Sequence, residues 1–127
     1  MLEQKPSLSR KHTLPIKGNS YEVEYPNTGK AIDIELLKLQ IAGSNYDALR
    51  FGASKMAQEQ ADKVDMIAVF NVLIPQLRED LNSKTLFDLS EEQSNERVEV
   101  YKTQFLPWFS PIKEAIRNPK SISKNEK

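Results

Sequence analysis

The chain has no cysteine, one histidine, four glycines and no long apolar run, and each scarcity removes a class of function. Without cysteine there can be no disulfide, thiolate metal site or cysteine nucleophile, and folding in a reducing cytoplasm is permitted. The lone histidine, His12, has no histidine or cysteine companion with which to build a metal site or a nucleophile–base pair, so it is expected at the core edge or exposed. Gly18, Gly29, Gly43 and Gly52 are too scattered for a phosphate-cradling or dinucleotide loop, and G-x-S-x-G, H-E-x-x-H and calcium-loop patterns are missing. Apolar runs are only a few residues long, far below the ~20 needed to cross a bilayer. The N-terminal "MLEQKPSLSRKH" also lacks the apolar stretch of a secretory signal, so neither a membrane nor export by that route is expected.

What is present suits one soluble domain. A chain of 127 residues, 39% hydrophobic and 28% charged, can bury roughly two-thirds of its unfolded surface. The formal net charge is zero, but its distribution is uneven. Residues 1–20 carry +3 (Lys5, Arg10, Lys11, Lys17 against Glu3), and residues 117–127 also carry +3. Between Glu59 and Glu99, ten carboxylates against four bases leave −6. The basic ends are short and lack interleaved aromatics, so nucleic acid is not an expected partner.

Alternation of Leu14 and Ile16, then Tyr21, Val23 and Tyr25, around "KGNS" predicts a β-hairpin with these residues on one face. Proline lacks an N–H and is best placed at a non-hydrogen-bonded position, which favours a four-residue loop, Lys17 to Ser20, pairing Ile16 with Tyr21 and His12 with Tyr25. Helices follow. Thr28 is a candidate cap and Gly43 a stop for a helix whose apolar residues (Ile32, Ile34, Leu36, Leu37, Leu39, Ile41) exceed one stripe, suggesting burial between two elements or against a partner. "SNYDALRFGASKMAQEQ" reads as a second helix weakened by Gly52. "ADKVDMIAVFNVLIPQLREDL" reads as the central helix, bent near Asn71 by Pro75. Leu86, Phe87 and Leu89 are expected anchors, and Ser90 with Gln93 forms a capping box for "EEQSNERVEVYKTQF". The fold class is α+β, mainly α: a short N-terminal β-hairpin packed on a small bundle of about four helices with a proline-broken C-terminal corner. Residues 1–11 are expected to be a flexible polar arm, 12–117 a single globular domain, and 118–127 a flexible basic tail.

Carboxylates can perform acid–base chemistry without histidine, but only Asp62 and Asp65 have same-face helical spacing. They are read as favourable charge at a helix start. No catalytic residue, cofactor or metal site is assigned. The remaining candidate is "QFLPWFSPIKEAI". Val98, Tyr101, Phe105, Trp108, Ile112 and Ile116 would form one stripe if a helix ran through Pro107 and Pro111. The preferred reading instead ends the helix near Phe105, turns at "PWF" and restarts with Ser110 as cap. Phe105, Trp108, Phe109 and Ile112 are therefore both the candidate core plug and the candidate protein-contact residues.

The segment "HTLPIKGNSYEVEYPNTGKAIDIELLKLQIAG", followed by "DMIAVFNVLIPQLREDL" and "VYKTQFLPWF", resembles small tail assembly chaperones of tailed bacteriophages, over roughly Lys11 to Ile116. The resemblance implies a largely helical, non-enzymatic factor of the host cytoplasm that binds tape-measure or tail-tube protein during tail assembly. It leaves a homo-oligomer open. A structural component retained in the virion is the alternative, and a small carboxylate-based enzyme a distant third.

Overall fold

The computed structural model describes residues 9–80, 86 and 89–117. Strands β1 (Lys11–Ile16) and β2 (Asn19–Glu24) pair antiparallel and bury Leu14, Ile16, Tyr21 and Val23, the face predicted from the alternation. The register differs from expectation by two residues: Leu14 faces Tyr21, His12 faces Val23 and Ile16 faces Asn19. The loop is only Lys17 and Gly18, with φ of 50° and 84°. Two positive φ values give the turn whose twist matches a hairpin, although lysine adopts this region at a cost of about 1–2 kcal/mol. The Tyr25 amide donates to the Arg10 carbonyl at 2.8 Å, which by alternation makes Pro15–Ser20 a non-hydrogen-bonded pair. Proline's missing donor is thus accommodated by the shorter loop as well.

Six α-helices follow among the described residues: α1 (Thr28–Ala42), α2 (Asn45–Phe51), α3 (Lys55–Leu73), α4 (Pro75–Asp80), α5 (Glu91–Val100) and α6 (Leu106–Arg117). Asn27, not Thr28, caps α1, its side chain accepting the Lys30 amide at 2.9 Å. Gly43 stops the helix as expected: it sits at φ 58° and returns its amide to the Leu39 carbonyl. The anticipated second helix is divided at Gly52. A Cβ there would lie 2.5 Å from the Ala48 carbonyl oxygen, so the chain leaves α2 in a path that other residues could not follow without a shift. Ser54 then accepts the Ala57 amide and starts α3 seven residues before Ala61, the start expected from the sequence.

Helix α3 is central, contacting α1, α2, α4 and α5. It buries Ala61, Val64, Met66, Ile67, Ala68, Val69, Phe70 and Leu73. Pro75 breaks the helix rather than bending it. Ile74 leaves helical space (φ −130°, ψ 71°), as a residue before proline tends to, and Pro75 opens α4 where its missing N–H costs nothing. Leu86 is buried and Leu89 packs against the core, whereas Phe87 lies outside the described residues. The Ser90–Gln93 capping box is complete in both directions.

The architecture is α+β and mainly α, a short N-terminal hairpin packed on a small helical bundle with a proline-containing break. The C-terminal path turns differently from the expected stop and restart. A π-turn, Tyr101–Phe105, joins α5 to α6, the Leu106 amide reaching back five residues to the Tyr101 carbonyl. This wide turn shifts the hydrogen-bond ladder just before Pro107, so its ring and absent donor fall where regular pairing is already interrupted. Pro111 lies within α6, so Ser110 is an interior residue and not a cap.

Candidate functional site

The stripe that depended on a helix running through the prolines exists, and it turns inward as far as Ile112, leaving Ile116 47% exposed. Phe105 is 0% exposed and Ile112 2%, so neither can meet a partner while the core is closed. Phe105 stacks on Tyr101 at 5.4 Å and on Phe109 at 4.9 Å, and meets Phe70 edge-on at 5.8 Å. Trp108 and Phe109 are half-buried, and both rings are taken up by the hairpin end. Phe109 stacks on Tyr25 at 5.0 Å; Trp108 stacks on His12 at 5.1 Å, and its indole N–H donates to the Ser9 carbonyl at 2.7 Å. His12 Nε2 lies 3.0 Å from the Gln104 carbonyl, which can only accept, so Nε2 carries the proton. Ser9 and Arg10, assigned to the polar arm from the sequence, are held here, with the Arg10 guanidinium 5.4 Å from the Tyr25 ring centre.

Asp62 and Asp65 do share a face, but they stand well inside α3 rather than at its start. That correction follows from the earlier start at Ser54. Their compensation comes from cations. Arg50 bridges both, at 3.0 Å to Asp62 and 2.6 Å to Asp65. Lys102 adds a contact to Asp62 at 3.3 Å, and the Tyr46 hydroxyl donates to Asp65 at 2.7 Å. Burial works against the Arg50 charge, yet the Tyr46 hydrogen bond and the two aspartates outweigh it and hold the guanidinium above its ordinary pKa. The cluster fastens α2 and the π-turn to α3. Among the described residues no group of three or more histidine or carboxylate side chains is placed to hold a metal ion. No helix among them is long and apolar enough to cross a membrane.

The surplus apolar residues of α1 have a different fate from the C-terminal aromatics. Ile34 is buried and Leu37 and Ile41 pack against the core, while Ile32, Leu36 and Leu39 are 53%, 54% and 59% exposed. Spacings of four and three put those three on one helical stripe. Leu36 and Leu39, with Leu37 and Val72, line a shallow groove of about 640 Å³, into which Asp33 also faces. Asp33 and Asp47, the latter at the α1–α2 corner, have no ion pair among the described residues. The breadth of the α1 pattern was the signal for this surface. What the sequence lacked was any mark of which apolar residues the core would leave out.

Compared with known proteins, the chain matches no family model, no curated protein and no solved structure.

Proposed function

We propose that the protein is a non-enzymatic protein-binding factor that takes an apolar helix of its partner along α1. The exposed stripe Ile32, Leu36 and Leu39 carries this reading: three large side chains sit at helical spacing, where i, i+4, i+7 anchors of a second helix would meet them. The rim is acidic, with Asp33 in the groove wall and Asp47 at the corner, so the partner helix flanks its apolar ridge with lysine or arginine. In the setting that the resemblance to phage tail assembly chaperones implies, that helix belongs to a tape-measure or tail-tube protein and the encounter occurs in the host cytoplasm. Retention in the finished virion is the competing reading, and a second copy of this chain the competing occupant.

The test is co-elution of the purified chain with purified tape-measure and tail-tube proteins, followed by light scattering. A complex that Leu36→Lys and Leu39→Lys abolish, with parent-like melting of both variants, supports docking on α1. A complex indifferent to these substitutions, or none, overturns it. Self-association lost in the same variants assigns the stripe to a homo-oligomer. Finding the chain in mature particles replaces the chaperone reading with the structural one.

A further inference from the structure

A different stripe of α1, containing Ala31, Ile34 and Lys38, faces a cleft of about 390 Å³ bounded also by α2, α3, the π-turn and α6. Its apolar surface comes from Ile34, Val69 and Leu106, and its aromatic surface from Tyr101 and the stacked Tyr25–Phe109 pair. The volume lies at the small end of ligand pockets, about 300–1,000 Å³, and suits a single ring with a short chain better than a helix.

Most polar groups of the cleft are committed. Asp65 receives Arg50, Tyr46 and, at 3.7 Å, Lys38, while Lys38 also pairs with Glu35 at 3.2 Å. Of the lining groups that are not committed, which include the Tyr25 and Ser110 hydroxyls, two bear on a ligand here. The Tyr101 hydroxyl belongs to a residue only 8% exposed and has no hydrogen-bond partner among the described residues. The hydroxyl is not sealed off from solvent, so an acceptor arriving in the cleft would meet a donor already in place. Burial, then the Asp65 charge, raises its pKa, so at neutral pH it remains that donor. The second group is Lys113, whose ammonium lies 6.0 Å from the Phe109 ring centre and has no carboxylate partner among the described residues. Lys38 and Arg50 already balance the carboxylates of the cleft, so Lys113 is its uncompensated charge.

We propose that this cleft binds a small aromatic carboxylate carrying a neutral hydrogen-bond acceptor at the end of the ring remote from the acid. The ring lies against Tyr25 and Phe109, the acceptor takes the Tyr101 hydroxyl proton, and the carboxylate meets Lys113. None of these residues belongs to the stripe Ile32, Leu36 and Leu39, so the site stands or falls separately from docking on α1.

The test titrates the full chain with 4-hydroxyphenylacetate while backbone amide shifts are followed by NMR. Saturable shifts are expected at Ile34, Val69, Tyr101 and Phe109. Replacing the probe's acid with its primary amide should weaken binding on the order of tenfold, the scale of one charge-assisted hydrogen bond. Lys113→Gln should weaken the acid equally and leave the amide unchanged. Tyr101→Phe should weaken the hydroxylated probe several-fold, as removing the probe's own hydroxyl does, and the two losses should not add. Because no intramolecular hydrogen bond is lost, Tyr101→Phe should melt no lower than the parent; should it fail to fold, the acid–amide comparison in the parent and in Lys113→Gln still decides. Absence of saturable shifts, equal affinity for acid and amide, or shifts confined to Ile32, Leu36 and Leu39 overturns the proposal. Tighter binding of the peptide N-acetyl-Gly-Tyr than of the free acid reassigns the site to a protein C-terminus and overturns it too.

Discussion

The C-terminal aromatic corner and the outer face of α1 are two apolar surpluses among the described residues, and they are resolved in opposite directions. At the corner, Phe105 is enclosed by Phe70, Tyr101 and Phe109, Trp108 and Phe109 are covered by His12 and Tyr25 at the hairpin end, and even the indole N–H is spent internally on Ser9. On α1, Ile34 satisfies the core and Ile32, Leu36 and Leu39 remain in solvent. An aromatic cluster is therefore no better guide to a binding surface than an aliphatic stripe. What separates them is whether another element is placed to cover them.

The contrast can be broken most forcefully at Phe105. Phe105→Ala removes the ring that joins Phe70, Tyr101 and Phe109, and should cost about 3–5 kcal/mol. A single domain has only about 5–15 kcal/mol to lose, so chemical denaturation should show a much earlier midpoint. A midpoint within error of the parent would mean the corner is not the core. Trp108→Ala should cost less, about 2–3 kcal/mol, because the indole is half-buried and one hydrogen bond goes with it. Trp108→Phe should recover the stacking part and leave the deficit of the Ser9 bond, about 1 kcal/mol. Equal losses in the two variants would show that the ring contributes nothing.

Alkaline pH probes the closed region through its tyrosines. Tyr21, Tyr25, Tyr46 and Tyr101, all four in the chain, have pKa values raised by burial above the ordinary 10. The folded state keeps these protons where the unfolded chain releases them. This contribution to stability is therefore complete below pH 10 and is lost as pH rises through the folded-state values. Urea midpoints should fall above pH 10, with tyrosinate absorbance appearing together with unfolding, and the fall should be shallower in Tyr101→Phe. Stability that is flat or rising there would contradict the burial. The smallest stability effect belongs to the open region. Leu36→Lys and Leu39→Lys should stay within about 0.5 kcal/mol of the parent in denaturation, while changing what the surface binds. A loss as large as that of Trp108→Ala would mean α1 is covered after all.

Much of the fold was legible from local rules. Period-two alternation identified the hairpin face, and Ser90 with Gln93 announced α5. The length of the apolar pattern around Phe70 marked α3 as central. The misses share a cause. Hairpin registers two residues apart bury the same side chains and both spare Pro15, so the pattern could not choose between them. Nothing in "KG" advertises a lysine in left-handed space. The start of α3 was misplaced because Ala53, Met56 and Ala57 fit either neighbouring helix. That error alone turned Asp62 and Asp65 from helix-start charges into an apparent anomaly, which Arg50, Lys38 and Lys102 resolve only in three dimensions. Of the candidate contact residues, Phe105 and Ile112 were identified as special by their spacing but could not be assigned a direction.

The sequence by itself determined which residues are apolar, how they repeat and where the chain must turn or cap, because these depend on neighbours a few positions away. It also removed disulfide and thiolate chemistry outright. Only the tertiary structure decided that Pro75 breaks a helix while Pro107 follows a π-turn, since the cost of a missing N–H depends on whether the surrounding ladder is already interrupted. Tertiary packing also decided that the tryptophan is covered and the leucines of α1 are not. Burial is a competition for limited interior space, and its outcome is set by distant partners: Tyr25 and His12 in one case, and the absence of any covering element among the described residues in the other.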